Sequence, residues 1–387
     1  MAVGDAAWQG GIQYINNILN ALNVAGRSRP LEVHLFKHSA QHFPDLEKFK
    51  QIKVVIHDTE KVYGPWSFSN RLKWFAQRKL AGRINPRIEN VLQRIGVDYV
   101  FPSTLSDCNK KLNVGSWIAD FQYHHFPVGA NASITSSAHK TISTIAAKAN
   151  KVILSSRFCE NDCLTLFPET AGKTHVMPFA VFMDEQHLKF TAFDSIRDKY
   201  SLPDRFLMVA NLFAPTKNHK TLFEALGILK REGRVVPLVC TGNIVDYAKQ
   251  EFANEILQQL TEYKIRDQVS LLGLIPRADQ VALYRMAVAL VQPSINEGWS
   301  TSVEEAKVLG KNLILSNIEV HLEQYPGNPY FFEALDARSL SDTIKKVWNG
   351  NQQTKFPEIE RERAAFNAYQ ENVKEFGKRF LEIAALE

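Results

Sequence analysis

The stretch Pro293-Ser294-Ile295-Asn296-Glu297-Gly298-Trp299-Ser300-Thr301-Ser302-Val303-Glu304-Glu305-Ala306 decides how this chain is read. The apolar run Ala287–Val291 before it predicts a short buried strand, and Ser302–Leu309 predicts the opening of a helix. Glu297 and Gly298 stand in the polar turn between them. A strand, a turn and a helix N-terminus together suit an anion, because unpaired backbone N–H groups point out of that end. Two carboxylates, Glu297 and Glu305, weaken phosphate binding there unless they serve the hydroxyls of a polyhydroxylated ligand. Eight residues of helix rise roughly 12 Å, so the pair can hold opposite ends of an extended molecule. Taken alone, two glutamates at this spacing are more simply a turn residue and a solvated helix face. The rest of the chain tips the reading.

A chain of 387 residues is too long for one compact core and predicts two domains. Its 45% apolar and 22% charged residues are those of an ordinary soluble globular protein. No apolar run approaches the roughly 20 residues of a membrane-spanning helix, and the first residues lack a signal-peptide pattern. Of the four cysteines (Cys108, Cys159, Cys163 and Cys240), only Cys159 and Cys163 are near neighbours, without the partners zinc needs. No metal site is expected, and a reducing cytoplasm is the natural compartment. The net charge of +5 is uneven, with the basic excess in residues 1–110. Between Arg71 and Arg87, basic side chains alternate with Trp74, Phe75 and Leu80 at helical spacing, which suits peripheral contact with an anionic membrane surface. A helix packed on its own domain with a solvated basic face is the commoner cause of such a pattern.

Outward from the deciding stretch, the second half alternates strand and helix. Strands are predicted at Phe206–Ala210, Pro237–Thr241, Val269–Leu272, Ala287–Gln292 and Asn312–Leu315. Helices are predicted at Lys217–Glu232, Val245–Glu262, Ala278–Met286, Ser302–Leu309 and Leu340–Trp348. The first half offers strands at Glu32–Phe36, Lys53–Ile56, Asp98–Phe101, Gly115–Ala119, Lys151–Leu154 and Val176–Phe179. Its helical patterns are Ile12–Leu22, Asn85–Ile95, Ser137–Ala149 and Ser156–Phe167. Such alternation predicts an α/β fold of two Rossmann-like, doubly wound domains facing a cleft, with ligands at the C-terminal ends of the strands. The expected boundaries are 1–183, a polar linker at 184–203, a second domain at 204–360, and a helix at 361–387 crossing back to the first domain. Gly10 and Gly11, just before the first helix, suit a close approach to phosphate or sugar. A loop with this role normally follows a buried strand, so the first strand is expected to be missing or the chain start displaced.

Three other segments carry chemistry. Lys217 stands at a predicted helix N-terminus, where a cation opposes the helix dipole and an anion such as a diphosphate would explain it. Asn211 and Asn218 flank it as amide donors. The segment Ser270–Arg277 is a strand ending in a Gly turn, of a kind that can present backbone groups to a planar ligand, although such turns are common. Trp117–Pro127 gathers Asp120, Gln122, His124 and His125 among aromatic residues, where an imidazole can act as acid, base or hydrogen-bond donor.

Together these residues resemble the retaining glycosyltransferases of family 4, with the two-domain GT-B fold, in a bacterial polysaccharide-assembly branch. The resemblance runs from Gly10-Gly11 to the C-terminal helix, and its most specific element is Glu297-x7-Glu305 within a Pro-Ser-x-x-Glu-Gly context. It implies that Glu297 binds donor-sugar hydroxyls, Glu305 the ribose, and Lys217 the diphosphate. It implies that His125, two residues before Pro127, sits beside the transferred sugar, with Asp120 and Gln122 shaping that wall. Gly10 and Gly11 would approach the phosphate and acceptor, Leu274 and Ile275 the base, and Asn211, Asn218, Gly298, Trp299, Ser300 and Thr301 the rest of the donor. The implied partners are a nucleoside-diphosphate sugar and a saccharide or lipid-linked acceptor, with no bound cofactor, no metal and no nucleic acid. One departure is Leu212, which stands where many members carry an arginine five residues before the lysine. Either Asn211 and other donors replace that charge or catalysis is weakened. The alternatives are a catalytically degenerate nucleotide-sugar-binding protein, or an epimerase or phosphorylase on the same fold.

Overall fold

The computed structural model describes residues 9–25, 30–37, 49–62, 73–77, 86–102, 112–126, 132–243, 250–350 and 357–386. Cys108, Pro127, the start of the helix expected from Val245 and most of the basic segment between Arg71 and Arg87 lie outside them. The chain divides into two compact units, Met1–Phe182 with Glu371–Glu387, and Met183–Gln370.

In the first unit, α1 (Gln9–Ala25) buries Tyr14, Ile15, Ile18, Leu19 and Leu22 along one stripe. Gly10 and Gly11 lie inside its first turn rather than before it. Strands β1 (Leu31–Lys37) and β2 (Ile52–Asp58) pair in parallel from Leu31↔Ile52 to Lys37↔Asp58. After α2 (Pro86–Ile95), the strand expected at Asp98–Phe101 is reduced to an isolated bridge, Val100↔Val114. A parallel sheet β3-β4-β5 follows, from Gly115–Ile118, Lys151–Leu154 and Thr174–Val176. It is interleaved with a helical turn α3 (Gln122–His125), α4 (Ala132–Lys148) and α5 (Arg157–Leu166). The Ser156 hydroxyl caps α5 by accepting from the Cys159 amide.

The second unit opens with α6 (Gln186–Lys189) and α7 (Phe193–Tyr200), where the sequence predicts only a linker. A buried cation helps to hold these turns, beside the buried Ile196 and the bonds from Lys199 and Tyr200 to Asp279. Arg285, 1% exposed, donates from Nη1 to the carbonyls of His187 and Phe190, both at 2.8 Å. Its guanidinium also lies 4.8 Å from the Phe193 ring centroid. Strand periodicity and helix periodicity are blind to such a contact.

Six parallel strands follow: β6 (Leu207–Ala210), β7 (Leu238–Thr241), β8 (Val269–Gly273), β9 (Ala289–Gln292), β10 (Asn312–Ser316) and β11 (Phe331–Phe332). The intervening helices are α8 (His219–Arg231), α9 (Gln250–Glu262), α10 (Arg277–Met286), α11 (Thr301–Val308) and α12 (Glu319–Gln324). Helices α13 (Ala337–Gly350) and α14 (Ile359–Ala384) complete the chain. The order β11-β10-β9-β6-β7-β8 is that of a doubly wound sheet. Strands β7 and β9 are buried at every position, as continuous apolar runs between two helical layers must be. Right-handed crossovers place α8 and α9 on one face. The chain moves the opposite way from β8 to β9 and on to β10, so α10 and α11 share the other face.

Arg285 also donates from Nε to Oε2 of Glu362, on the part of α14 that belongs to this unit, at 2.8 Å. Both side chains are at most 2% exposed. Glu362→Ala leaves a buried guanidinium uncompensated, and chemical denaturation should register a loss of roughly 3–5 kcal/mol.

Candidate active site

Strand order reverses between β6 and β9, and the loops leaving their C-terminal ends part there, opening the crevice in which such sheets hold ligands. The two loops are tied together below that crevice. The Ile295 amide donates to the Thr216 carbonyl at 2.9 Å, Asn218 Nδ2 to the Pro293 carbonyl at 3.1 Å, and Asn211 Nδ2 to Gln292 Oε1 at 3.2 Å. Asn218 adopts the left-handed region at φ 54° and links a 3₁₀ turn, Pro215–Lys217, to α8. Its amide is therefore committed to the loop tie. Lys217 lies in that turn, and α8 begins only at His219.

Lys217 Nζ donates to both oxygens of Glu297, at 2.6 and 2.7 Å. The Glu297 side chain is 7% exposed and that of Lys217 22%, so the carboxylate is the buried member of the pair. Ser294 Oγ at 2.7 Å and Gln292 Nε2 at 2.9 Å also donate to Glu297 Oε1. Burial alone would raise the Glu297 pKa, but the Lys217 charge and the hydrogen bonds from Lys217 and Ser294 overcome it and hold the group below its ordinary value. The arrangement is an ionised carboxylate beside an ammonium group, at the C-terminal edge of the sheet where strand order reverses.

A second layer supports it. Ser302 Oγ donates to Gln292 Oε1 at 3.1 Å, while Ser316 Oγ donates to the Ser294 carbonyl at 2.5 Å. His321 Nδ1 lies 3.0 Å from Ser316 Oγ and 3.1 Å from its carbonyl. Because the Ser316 proton is spent on Ser294, His321 Nδ1 carries the proton it donates. His219 stacks on Phe213 with centroids 3.8 Å apart, and both its ring nitrogens lack a partner among the described residues. Sequence reasoning missed Gln292, Ser294, Ser316 and His321 because they lie on three separate segments.

Glu305 sits elsewhere on this unit's C-terminal edge. Its Oε1 is 2.8 Å from Nη2 of Arg277, the first residue of α10. Leu274, three residues earlier, has 80% of its surface exposed, and Ile275 is half-buried. The adjacent Glu304 is structural, accepting from the Tyr369 hydroxyl, from Gln324 Nε2 at 2.9 Å and from Lys307 Nζ at 2.9 Å. Gly298 and Ser300 are buried, Trp299 is half-buried, and Thr301 opens α11. Gln324 holds Ser300 at its amide (3.2 Å) and carbonyl (2.8 Å).

In the first unit, Asp120 Oδ1 accepts from the Gln122 amide at 3.0 Å and starts the turn that carries His125. His125 Nε2 is 2.7 Å from Asp162 Oδ2, and its ring stacks on Phe158 at 5.3 Å. Asp162, on α5, is an imidazole-orienting partner that no motif in the sequence marked. His124 turns away, the two rings lying at 72° to one another. Among the described residues, no group of three or more His, Cys, Asp or Glu side chains is arranged to hold a metal ion.

A family model described as Glycosyl transferases group 1 matches residues 192–371. The chain is similar to the serotype-specific mannosyltransferase WbdA of Escherichia coli, 29% identical over 155 residues, or 40% of this chain and 18% of that protein. The chain thus spans less than a fifth of the length of that relative. It is also 27% identical over 104 residues to the O-antigen chain mannosyltransferase RfbU of Salmonella typhimurium, covering 27% of this chain and 30% of that one. Among solved structures, the Anabaena protein HepE in complex with UDP and glucose superposes with a TM-score of 0.63 over 95% of each chain at 17% identity. The fold is therefore the two-domain GT-B glycosyltransferase fold.

Burial pushes His219 down to about 3 and His321 down to about 4. An unfolded imidazole titrates near pH ~6.5. Between that value and the folded ones the unfolded chain binds more protons, so stability is full above ~6.5 and falls with acidification. Melting temperature followed by circular dichroism should drop between about pH 7 and about pH 4.5, and His219→Phe should flatten that slope.

Proposed function

We propose that this chain is a glycosyltransferase that moves a sugar from a nucleoside-diphosphate sugar to a saccharide or lipid-linked acceptor in the synthesis of a cell-surface polysaccharide. The observation that carries this reading is the Lys217–Glu297 pair at the switch point of the second unit's sheet. The group 1 match over the same unit and the mannosyltransferase relatives support it, and they make mannose the first sugar to test.

In this reading the donor trades partners with the protein. Its diphosphate takes the Lys217 ammonium, and its sugar hydroxyls take the Glu297 carboxylate, which Gln292 and Ser294 keep in place. The bond from the anomeric carbon to phosphate breaks as the bond to the acceptor oxygen forms on the same face. The departing phosphate oxygen accepts the acceptor's proton, so configuration is retained. The ammonium group stabilises charge growing on the leaving group, a role that needs no metal ion or bound cofactor in this scheme. Glu305 holds the ribose, the loop after β8 holds the base, and His125, oriented by Asp162, serves the sugar.

Lys217→Ala and Glu297→Ala should each lower transfer by about 100-fold or more, in a radiolabelled assay with a panel of nucleotide sugars beginning with GDP-mannose. Full turnover in both variants would remove the site. Nucleotide-induced thermal shifts with no transfer by the unaltered protein would favour the degenerate binding protein instead.

We also place the protein at the inner, cytoplasmic face of a membrane, in contact through the segment between Arg71 and Arg87. Within it the short helix at 73–77 leaves Phe75 59% exposed. Co-sedimentation should be strong with phosphatidylglycerol vesicles at low salt, lost at high salt, and absent with phosphatidylcholine. Equal retention by both vesicle types would rule out the electrostatic contact.

A further inference from the structure

We propose that Arg277 is a positioning residue that aims the Glu305 carboxylate and thereby sets a preference for ribose over 2′-deoxyribose nucleotides. The inference rests on the reading above that Glu305 holds the ribose.

Arg277 is the first residue of α10, where the helix dipole already presents positive charge, so local helix physics disfavours a cation there. The sheet topology supplies the reason for it. Because α10 and α11 lie on the same face, the loop after β8 delivers Arg277 to the neighbourhood of Glu305, in the second turn of α11. Nη2 then meets Glu305 Oε1 at 2.8 Å, while Nη1 donates to Gln280 Oε1 at 2.9 Å. The planar fork is thus fixed from two directions, which a lysine cannot reproduce.

The pair straddles the boundary with solvent: the Glu305 side chain is 6% exposed and that of Arg277 39%. The largely exposed Leu274 three residues before Arg277 lies on the same loop, so an apolar surface and an oriented carboxylate share one edge of the sheet. Tyr284, buried beside Glu305, has its phenol pushed well above the usual value, first by burial and then by that carboxylate. It remains protonated and adds no second negative charge beside Glu305, whose ion-pair partner is Arg277. An anion held in one orientation can accept from a ribose diol, and loss of that orientation is felt only by a ligand that has the hydroxyls.

The test is calorimetric binding of GDP, UDP and their 2′-deoxy counterparts to the full chain carrying Arg277→Met or Arg277→Lys. The unaltered protein should prefer the ribonucleotide by about tenfold or more, the worth of a hydrogen bond to a charged group. Arg277→Met should bring that ratio close to one without weakening the deoxynucleotide, and Arg277→Lys should recover part of it. In turnover, donor KM should rise with kcat little changed. Arg277→Met retaining the full preference, or weakening both nucleotides by the same factor, overturns the proposal. If the unaltered protein shows no preference and Glu305→Gln alters neither affinity, the ribose reading of Glu305 falls and this inference with it. Loss of transfer in Lys217→Ala and Glu297→Ala would still stand as separate support for the glycosyltransferase reading.

Discussion

Burying the Glu297 carboxylate beside the Lys217 ammonium is the constraint around which the second unit is arranged. A carboxylate taken out of water is stable only if its charge is matched and its lone pairs are met. Here two contacts come from Lys217 and two from Gln292 and Ser294. Three of these residues lie on the β9 strand or the loop after it and the fourth on the loop after β6. They meet because parallel strand order reverses between β6 and β9. The same reversal that creates the crevice also delivers the two charges to it.

The surrounding polar groups keep that geometry while leaving the Lys217 side chain partly exposed. Ser316 and His321 brace Ser294 from the β10 end, and Gln324 braces Ser300 at the start of α11. His321 does this as a neutral ring, because burial opposes its protonation. A second buried charge pair, Arg285 with Glu362, works at a distance from the chemistry. It ties the segment around α6 and α7 to the C-terminal helix, and Lys311 Nζ donates to the Arg285 carbonyl at 3.0 Å. Among the described residues, the Arg285–Glu362 pair is closed on both sides, whereas Lys217 and Arg277 leave their glutamate partners paired at a partly exposed cation.

Particular residues mark where sequence reading works and where it stops. Lys151–Leu154 was legible to the residue as a strand because three buried apolar positions, Val152, Ile153 and Leu154, follow one another between polar ones. The sequence shows Glu297 in the turn after a buried strand, but not that its carboxylate is buried against Lys217. The neighbours Glu304 and Glu305 were separated by spacing alone. Their different roles emerge only from Tyr369 and Gln324 on one side and Arg277 on the other, none of them local in the chain. Asp162 carries no local signal, since a polar residue on an amphipathic helix is ordinary until His125 is seen 2.7 Å from it. The linker expectation failed for the same reason. Its short helices are held partly by a guanidinium nearly a hundred residues away and partly by Asp279, about eighty residues away.

By itself, then, the sequence determined the alternation of strands and helices and the parallel doubly wound class, and it singled out Glu297, Glu305 and Lys217 by residue type and spacing. The first two follow from local periodicity, whereas the helix start expected at Lys217 gave way to a 3₁₀ turn, with α8 beginning at His219. Tertiary structure alone decided that Lys217 grips both oxygens of Glu297, that Asn218 binds backbone rather than facing outward, and that Arg277 reaches Glu305. Such pairings depend on which strand ends become neighbours, and that is set by crossover handedness and the shared burial of distant apolar faces.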